Sequence, residues 1–254
     1  MNAPGSLRIV GLGPGSAAWI TPEALDLIAN ATDLVGYGPY LDRLPLKPGQ
    51  RRHQSGNGAE LERARHALRL AEEGRQVALV SGGDPGIFAM AAAVFEAIDE
   101  GEPGWRDIDV AVSPGISAMQ AAAARIGAPL GHDFCAISLS DNLKPWPYVE
   151  KRLAAAANAD FVIALYNPAS AARPHRIHDA FALLRDLKPA STPVVFARAV
   201  GREDERITIE TLNAAYPGLA DMSTLIIVGS SETRIVLRGA AAPFVYTSRG
   251  AKVP

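Results

Sequence analysis

The sequence predicts an α/β protein made of two α/β lobes with a ligand cleft between them. Three observations predict this fold class. Apolar runs alternate with helical patterns through the first half of the chain, which is typical of a largely parallel sheet. A turn-rich stretch, GAPLGHD at 127–133, then interrupts the alternation. The last apolar runs are short and joined by short links, which favours some antiparallel pairing in the second lobe.

The first lobe is assigned to residues 1–126. A strand is predicted at LRIVGL (7–12), and the helix after it begins at Thr21 as cap with Pro22 in its first turn. Residues 59–73 place apolar and charged side chains on opposite faces of a helix. The remaining predicted elements are, in order, the strand QVALVS, the helix GIFAMAAAVFEAID, the strand DIDVAVS and the helix ISAMQAAAARIG.

The second lobe is assigned to residues 127–254. Its predicted helices lie near 147–157 and 174–187. Its predicted strands are FCAISLS, DFVIALY, TPVVFARAV, STLIIVGSS, TRIVLR and FVYTS.

Composition excludes several classes of function. The 254 residues are 48% hydrophobic and carry a formal net charge of -2, which argues against a nucleic-acid partner because such proteins need a basic face. No apolar run approaches the ~20 residues of a membrane span, and MNAPGSLR does not resemble a signal peptide. The one cysteine, Cys135, excludes an internal disulfide and a cysteine-cluster metal site. We therefore expect a soluble, cytoplasmic protein with no membrane partner and no metal.

The motif GLGPG follows the first strand and raises the question of a dinucleotide-binding loop. Gly11 and Gly13 fit the G-x-G-x-x-G fingerprint, but Ser16 occupies the third glycine position. Pro14 has no N–H to offer a phosphate. We interpret GLGPG as a tight turn that leaves room for a ligand above the sheet edge. The alternative is a turn that needs small residues only for packing.

Two further loops follow predicted strands in the same way. They are SGGDPGIF (81–88) and SPGIS (113–117). The carboxyl ends of parallel strands meet at one edge of a sheet, where open α/β proteins bind ligands. Asp84 is the one acidic residue of these loops, and no histidine, cysteine or second acid lies beside it to complete a metal site. We therefore expect Asp84 to bond a hydroxyl of a bound small molecule or to attract a cation.

These motifs, in this order and spacing, resemble the tetrapyrrole methylase family. GYGPYLDR, SGNGAELERA, SLSDNLKPW, ALYNPAS and VGSSETR extend the resemblance from Leu7 to about Arg234. The resemblance implies a homodimer of two-lobed subunits that binds S-adenosylmethionine and a tetrapyrrole. It further implies methylation of precorrin-3B at C-17, with ring contraction to precorrin-4 in cobalamin biosynthesis.

The resemblance also implies which residues hold each ligand. The expected S-adenosylmethionine contacts are Pro14, Gly83, Asp84, Ile87, Ser117, Ala118, Tyr166, Asn167, Ala199 and Val200. The expected tetrapyrrole contacts are Gly13, Tyr37, Arg51, Arg52 and Ser55. Arginine suits the many carboxylates of such a substrate, although a solvated surface explains Arg51 and Arg52 equally well.

Ring contraction requires proton transfers, so a general acid or base is expected. Asp141 and Lys144 of SLSDNLKPW are the candidates, and a turn or helix-cap role is the alternative for Asp141. His53 and His132 are weaker candidates. The basic stretch RPHRIH (173–178) is interpreted as a solvated helix face rather than a carboxylate site.

Four other functions remain open at this point. The related enzyme of the anaerobic route methylates a cobalt-loaded factor III, and other transferases of the superfamily act on diphthamide or ribosomal RNA. A nucleotide-binding dehydrogenase and a non-catalytic tetrapyrrole-binding protein are the alternatives from different classes.

Overall fold

The chain divides into two compact units, Met1–Ala118 and Met119–Pro254. The computed structural model describes residues 5–169 and 173–250. The division falls after the first residue of the helix Ala118–Ile126, whereas the boundary predicted from the sequence lies after the last residue of that helix. Two contacts explain the difference. The Met119 N–H donates to the hydroxyl of Tyr166 (3.2 Å), and Arg125 forms an ion pair with Glu205 (3.0 Å). Both contacts hold the helix to the second unit.

The first unit contains one five-stranded sheet in the order β3-β2-β4-β1-β5, with every neighbouring pair parallel. Its strands are β1 (Ser6–Gly11), β2 (Asp33–Tyr37), β3 (Arg51–Ser55), β4 (Gln76–Ser81) and β5 (Asp109–Ser113). Its helices are α1 (Pro22–Asn30), α2 (Gly38–Leu41), α3 (Glu60–Glu72) and α4 (Met90–Glu100).

Helices cover both faces of this sheet. Leu7 and Ile9 of β1 pack into a core with residues of α3 and α4, whereas Val10 packs into a second core with residues of α1 and α2. Successive side chains of a strand point to opposite faces, so a strand buried on both faces is a continuous apolar run. This is why LRIVGL and QVALVS were recognisable as strands.

The second unit contains two sheets. Its helices are α5 (Ala118–Ile126), α6 (Trp146–Asn158) and α7 (Arg176–Leu187). Its strands are β6 (Gly127–Ala128), β7 (Phe134–Ser138), β8 (Val162–Tyr166), β9 (Pro193–Arg198), β10 (Arg206–Thr211), β11 (Thr224–Val228), β12 (Thr233–Arg238) and β13 (Ala241–Thr247). The larger sheet has the order β10-β9-β11-β8-β7, and the smaller has the order β12-β13-β6.

The predicted class, two α/β units with a mixed second sheet, is confirmed. In the larger sheet of the second unit, β7 and β8 are parallel and the other pairs are antiparallel. Strands β2, β3, β6 and β10 were not predicted. Helix α4 begins at Met90 rather than at Gly86, because Phe88 adopts a left-handed backbone conformation (φ 51°) that a helix cannot contain. Within the two described ranges, no helix has the length and apolar character needed to cross a membrane.

Candidate active site

Two glycine loops of the first unit are joined through their backbones at the carboxyl edge of the sheet. The Gly13 N–H donates to the Gly83 carbonyl (3.2 Å), and the Gly83 N–H donates to the Gly13 carbonyl (3.0 Å). Both residues have positive φ, 64° and 67°, which glycine adopts without strain. The loops GLGPG and SGGDPGIF therefore form one surface, as their positions after β1 and β4 predicted.

The third loop, SPGIS, packs against the other two without room for side chains. A Cβ on Gly115 would lie 2.4 Å from the Gly83 carbonyl oxygen, and a Cβ on Gly11 would lie 2.7 Å from the Gly115 nitrogen. Real Cβ atoms do not approach backbone this closely, so each position requires glycine. The close approach explains why the three motifs are rich in glycine.

The GLGPG loop lacks the features of a phosphate cradle. The Leu12 N–H donates to the Ser81 carbonyl (2.9 Å), and the Gly13 N–H is used in the bridge to Gly83. After the loop, Ser16 caps only the short 3-10 turn Ala17–Trp19. A dinucleotide site needs free N–H groups at the start of a long helix. These contacts weigh against the dehydrogenase alternative.

Asp84 joins the second loop to the third. Its Oδ1 accepts from the Gly86 N–H (2.8 Å), and its Oδ2 accepts from the Gly115 N–H (3.0 Å). The carboxylate therefore organises loop backbone, a role that the sequence analysis did not assign to it.

Arg43 holds the first loop and was not singled out from the sequence. Its guanidinium donates to the carbonyl oxygens of Leu12 (2.7 Å), Gly13 (3.0 Å) and Gly15 (2.9 Å). Three carbonyls on one planar donor fix the loop more firmly than one contact would. The sequence feature that could have indicated this role is the position of Arg43 at the end of the motif GYGPYLDR, which begins in β2.

Tyr37 and Ser55 lie at the same edge, because they are the last residues of β2 and β3. The ring of Tyr37 meets that of Tyr40 edge to face, with centroids 5.4 Å apart. The Tyr40 ring in turn covers Gly82 so closely that a Cβ there would lie 2.6 Å from it.

Arg51 and Arg52 lie at the other end of β3. In the backbone register of β3 with β2, Arg51 lies opposite Asp33 and Arg52 opposite Leu34, whereas Ser55 lies opposite Tyr37. The guanidinium of Arg52 donates to the Leu44 carbonyl and lies 3.9 Å from Asp42. The structure therefore does not bring these two arginines together with the three glycine loops.

Ser117 and Ala118 come directly after the third loop. Ser117 is buried, and Ala118 is the first residue of α5. Ile87 lies in the second loop, where its N–H donates to the Asp84 carbonyl (3.3 Å).

The predicted cofactor residues of the second unit lie where two strands end. Tyr166 ends β8, and its hydroxyl accepts from the Met119 N–H. Asn167 follows with φ 52° and donates to the Ser138 hydroxyl (2.9 Å). Ala199 and Val200 follow β9, are buried, and include a second left-handed residue, Ala199 (φ 50°). Non-glycine residues in this conformation are strained and concentrate at functional sites.

Asp141 is paired with two arginines of the RPHRIH stretch. Its carboxylate accepts from Arg176 Nε (2.7 Å) and lies 3.4 Å from Arg173 Nε. Burial on its own raises the pKa of Asp141, but the hydrogen bond from Arg176 and the charges of both arginines hold that pKa below its ordinary value. The two arginines are therefore not a solvated face, and Asp141 is a stable carboxylate.

Lys144 lies three residues further along the same loop and is half-buried. Burial, and then the charge of Arg152, lower the pKa of Lys144. Within residues 5–169 and 173–250, no carboxylate forms an ion pair with it. Of the two predicted proton-transfer residues, Lys144 is the one with a perturbed and unpaired side chain.

No group of three histidine, cysteine or acidic side chains in the described part of the chain has the arrangement of a metal site.

The three glycine loops follow strands of a parallel sheet at its carboxyl edge, where open α/β proteins bind small molecules. The model of the family Tetrapyrrole (Corrin/Porphyrin) Methylases matches residues 6–215, and the chain belongs to this family.

Individual relatives are similar over nearly their whole length. The chain is 58% identical over 245 residues to a Sinorhizobium protein named precorrin-3B C(17)-methyltransferase, covering 96% of each chain. It is 42% identical over 230 residues to the probable cobalt-factor III C(17)-methyltransferase of Salmonella typhimurium, covering 90% of this chain and 94% of that protein. The crystal structure of the methyltransferase CobJ has a TM-score of 0.91 at 47% identity, covering 96% of this chain and 100% of that chain. The family resemblance in the sequence motifs is thus confirmed.

Proposed function

We propose that this protein is an S-adenosylmethionine-dependent methyltransferase that methylates C-17 of precorrin-3B, with ring contraction to precorrin-4 in cobalamin biosynthesis. The observation that carries the proposal is the 58% identity to the precorrin-3B C(17)-methyltransferase over 96% of both chains. The relative named for cobalt-factor III is 42% identical, which favours the metal-free substrate over the cobalt-loaded one.

The loops of the first unit suit S-adenosylmethionine. Their glycines exclude side chains at Gly11 and Gly115, and the reciprocal bridge fixes the backbone at Gly13 and Gly83. S-adenosylmethionine supplies an electrophilic methyl group when it is bound. Pro14, Asp84, Ile87, Ser117, Ala118, Tyr166, Asn167, Ala199 and Val200 complete the proposed cofactor set.

The work of these residues is to position the two reactants. Transfer of a methyl group from a sulfonium to carbon is an in-line displacement, and alignment of the reacting atoms supplies much of its acceleration. Hydrogen bonds between Gly13 and Gly83 and between Asp84 and Gly115 join the loops and favour a fixed arrangement of the reactants. Apolar and glycine-rich surroundings also favour a step in which a cation loses its charge.

For the proton transfers of ring contraction, we assign the principal role to Lys144. A lysine whose pKa is lowered by burial can exchange a proton more readily near neutral pH than an ordinary one. We assign Asp141 a supporting role in the same chemistry, because its ion pairs hold Arg173 and Arg176 beside the loop that carries Lys144.

On the substrate side we retain Gly13, Tyr37 and Ser55, which share the carboxyl edge of the sheet. Arg51 and Arg52, which lie at the amino end of β3, remain proposed carboxylate ligands. We further propose that the protein acts in the cytoplasm and forms a homodimer. Light scattering on the purified protein tests the homodimer.

The decisive experiment is single-turnover methyl transfer from labelled S-adenosylmethionine, with precorrin-3B and cobalt-factor III as parallel substrates. We expect label at C-17 of a contracted product from precorrin-3B, and slower transfer to the cobalt compound. Faster transfer to the cobalt compound would establish the anaerobic activity instead. Binding of both tetrapyrroles without any transfer would establish a non-catalytic binding protein.

A further inference from the structure

Arg63, in the first turn of α3, is a buried cation. The residue is only 5% exposed. Its Nε donates to the Ser55 hydroxyl (2.6 Å), one terminal nitrogen donates to the Gly56 carbonyl (2.5 Å), and the other contacts the Met90 sulfur (3.2 Å). These contacts use three of the five N–H groups of a guanidinium, and one of the acceptors is a weak thioether.

No carboxylate of the described residues neutralises this charge. Arg63 is absent from every ion pair formed within residues 5–169 and 173–250, and the neighbouring Glu62 pairs with Arg65 instead (2.8 Å). Burial lowers the pKa of Arg63, and electrostatic interactions with Glu60, Tyr40 and Tyr37, none of which forms an ion pair with it, oppose that effect. Buried charges in proteins are ordinarily paired, because desolvation without a counter-ion is costly.

A pocket of about 410 Å³ opens beside this guanidinium. Its polar lining includes Arg52, His53, Ser55, Arg63 and His66. Glu62 is the acid of the lining, and its carboxylate is already engaged by Arg65. The pocket therefore offers a buried positive charge and further donors, but no free anion.

The location of Arg63 connects the pocket with the glycine loops. Ser55 ends β3, and Met90 begins α4 directly after the SGGDPGIF loop. The guanidinium therefore spans two segments at the carboxyl edge of the sheet, the edge that carries GLGPG and SPGIS.

We propose that this pocket is a carboxylate-binding subsite in which Arg63 is the counter-ion for an acidic side chain of the tetrapyrrole. The inference rests on the proposed function, because it takes its ligand from that substrate. A carboxylate fits the unused N–H groups better than a neutral group, since hydrogen bonds between arginine and a carboxylate are charge-assisted. A free anion such as inorganic phosphate has similar chemistry, and the test below separates the two sources.

The first experiment replaces Arg63 with glutamine and with lysine. We expect Arg63→Gln to raise the tetrapyrrole KM at least about tenfold through loss of a charged hydrogen bond. Arg63→Lys should recover part of that loss. The affinity for S-adenosylhomocysteine, measured by calorimetry, should stay close to wild type in both variants. Arg106→Gln, at an exposed arginine that is not part of the pocket lining, is the control and should change the KM by less than about twofold.

A second pair of variants tests the charge without removing Arg63. Ser55→Asp would place a carboxylate beside the Arg63 Nε, whereas Ser55→Asn is of the same size and neutral. We expect Ser55→Asp to keep or raise the melting temperature and to raise the tetrapyrrole KM well above that of Ser55→Asn. This comparison stays informative if Arg63→Gln does not fold.

The outcomes separate the two proposals. Wild-type protein that transfers no methyl group overturns the proposed function. Normal wild-type turnover with equal tetrapyrrole KM values for Ser55→Asp and Ser55→Asn overturns the subsite and leaves Arg63 as a structural brace. Inorganic phosphate that raises the melting temperature of wild type but not of Ser55→Asp, without competing with the tetrapyrrole, identifies a free-anion site and also overturns the proposal.

Discussion

The carboxylate of Asp84 accepts a hydrogen bond from the backbone N–H of Gly115 at 3.0 Å. The two residues belong to different loops, one after β4 and the other after β5. The second carboxylate oxygen accepts from the Gly86 N–H in its own loop (2.8 Å). Both oxygens are therefore used to shape the loops, and Asp84 affects a ligand through the backbone positions that it fixes.

Replacing Asp84 with alanine tests this relationship. We expect Asp84→Ala to lower the free energy of unfolding and weaken S-adenosylhomocysteine binding, each by about 1–3 kcal/mol, because two backbone N–H groups lose their acceptor. Calorimetry and urea denaturation measure the two effects. Asp99→Ala, an exposed acid on α4, is the control. A folded Asp84→Ala protein with wild-type cofactor affinity would remove Asp84 from the site.

The packing of the three loops makes a sharper prediction for Gly115. A Cβ there would lie 2.4 Å from the Gly83 carbonyl oxygen, which is backbone and cannot rotate away. We expect Gly115→Ala to separate the loops and reduce S-adenosylhomocysteine affinity by at least about tenfold, equivalent to one lost hydrogen bond. Gly250→Ala is the control, because no heavy atom lies within 4 Å of its added Cβ. Equal affinities in the two variants would mean that the loops adjust freely.

Sequence patterns revealed the loops but not the contacts between them. The strands β1 and β4 were recognisable because burial on both faces requires continuous apolar runs. Strand β3, with the sequence RRHQS, was missed because it lies at the edge of the sheet and exposes most of its side chains. Local pattern cannot identify an edge strand whose partner supplies the pairing.

Side-chain contacts between residues far apart in the chain also could not be predicted from the sequence. Arg43 bonds carbonyls about thirty positions earlier in the chain, at Leu12, Gly13 and Gly15. Asp141 was predicted as a general acid or base and RPHRIH as a solvated helix face, whereas Arg173 and Arg176 of that stretch pair with Asp141. Such pairs depend on how the elements pack, which periodicity and composition do not specify.

Arg43 should be required for the shape of the GLGPG loop. Lysine at this position keeps the charge but lacks the planar fork that reaches three carbonyls. We therefore expect Arg43→Lys to lower kcat and S-adenosylhomocysteine affinity, with a loss of about 1 kcal/mol for each carbonyl left without its donor. Steady-state kinetics and calorimetry measure the two quantities. Arg106→Lys, at an exposed site, is the matched control. Wild-type kinetics in Arg43→Lys would show that the charge alone is sufficient.

Lys144 should control the pH dependence of ring contraction. Its pKa is lowered by burial and by Arg152, so its neutral form appears at lower pH than that of an ordinary lysine. If the neutral amine accepts a proton, the contraction rate rises with pH through this lowered pKa. Lys144→Arg keeps the positive charge but cannot lose a proton in this range. We expect this variant to bind S-adenosylhomocysteine normally and to lose the rising limb. Retention of that limb would exclude Lys144 as the base.

The pair of histidines beside Arg63 predicts a pH-dependent stability. His53 Nε2 lies 2.8 Å from a carboxylate oxygen of the buried Asp33, and His53 Nδ1 lies 3.0 Å from His66 Nε2. Burial, and then electrostatic interactions with His53 and Arg69, lower the pKa of His66, while Glu73 and Asp33 act in the opposite direction. The folded protein therefore binds fewer protons at His66 than the unfolded chain does, so this contribution to stability is lost as the pH falls through the ordinary value of 6.5.

His66→Gln removes the titration while its amide N–H can still donate to His53. We expect the free energy of unfolding of wild type to fall more steeply than that of His66→Gln between about pH 7.5 and 5.5, because only the wild-type side chain must stay neutral. Urea denaturation across this range gives the comparison. His178→Gln, an exposed histidine of α7, should follow the wild-type curve. A difference in unfolding free energy that stays constant with pH reflects packing, whereas a difference that changes with pH reflects protonation. Parallel curves for wild type and His66→Gln would therefore show that His66 has the same proton affinity in the folded and unfolded states.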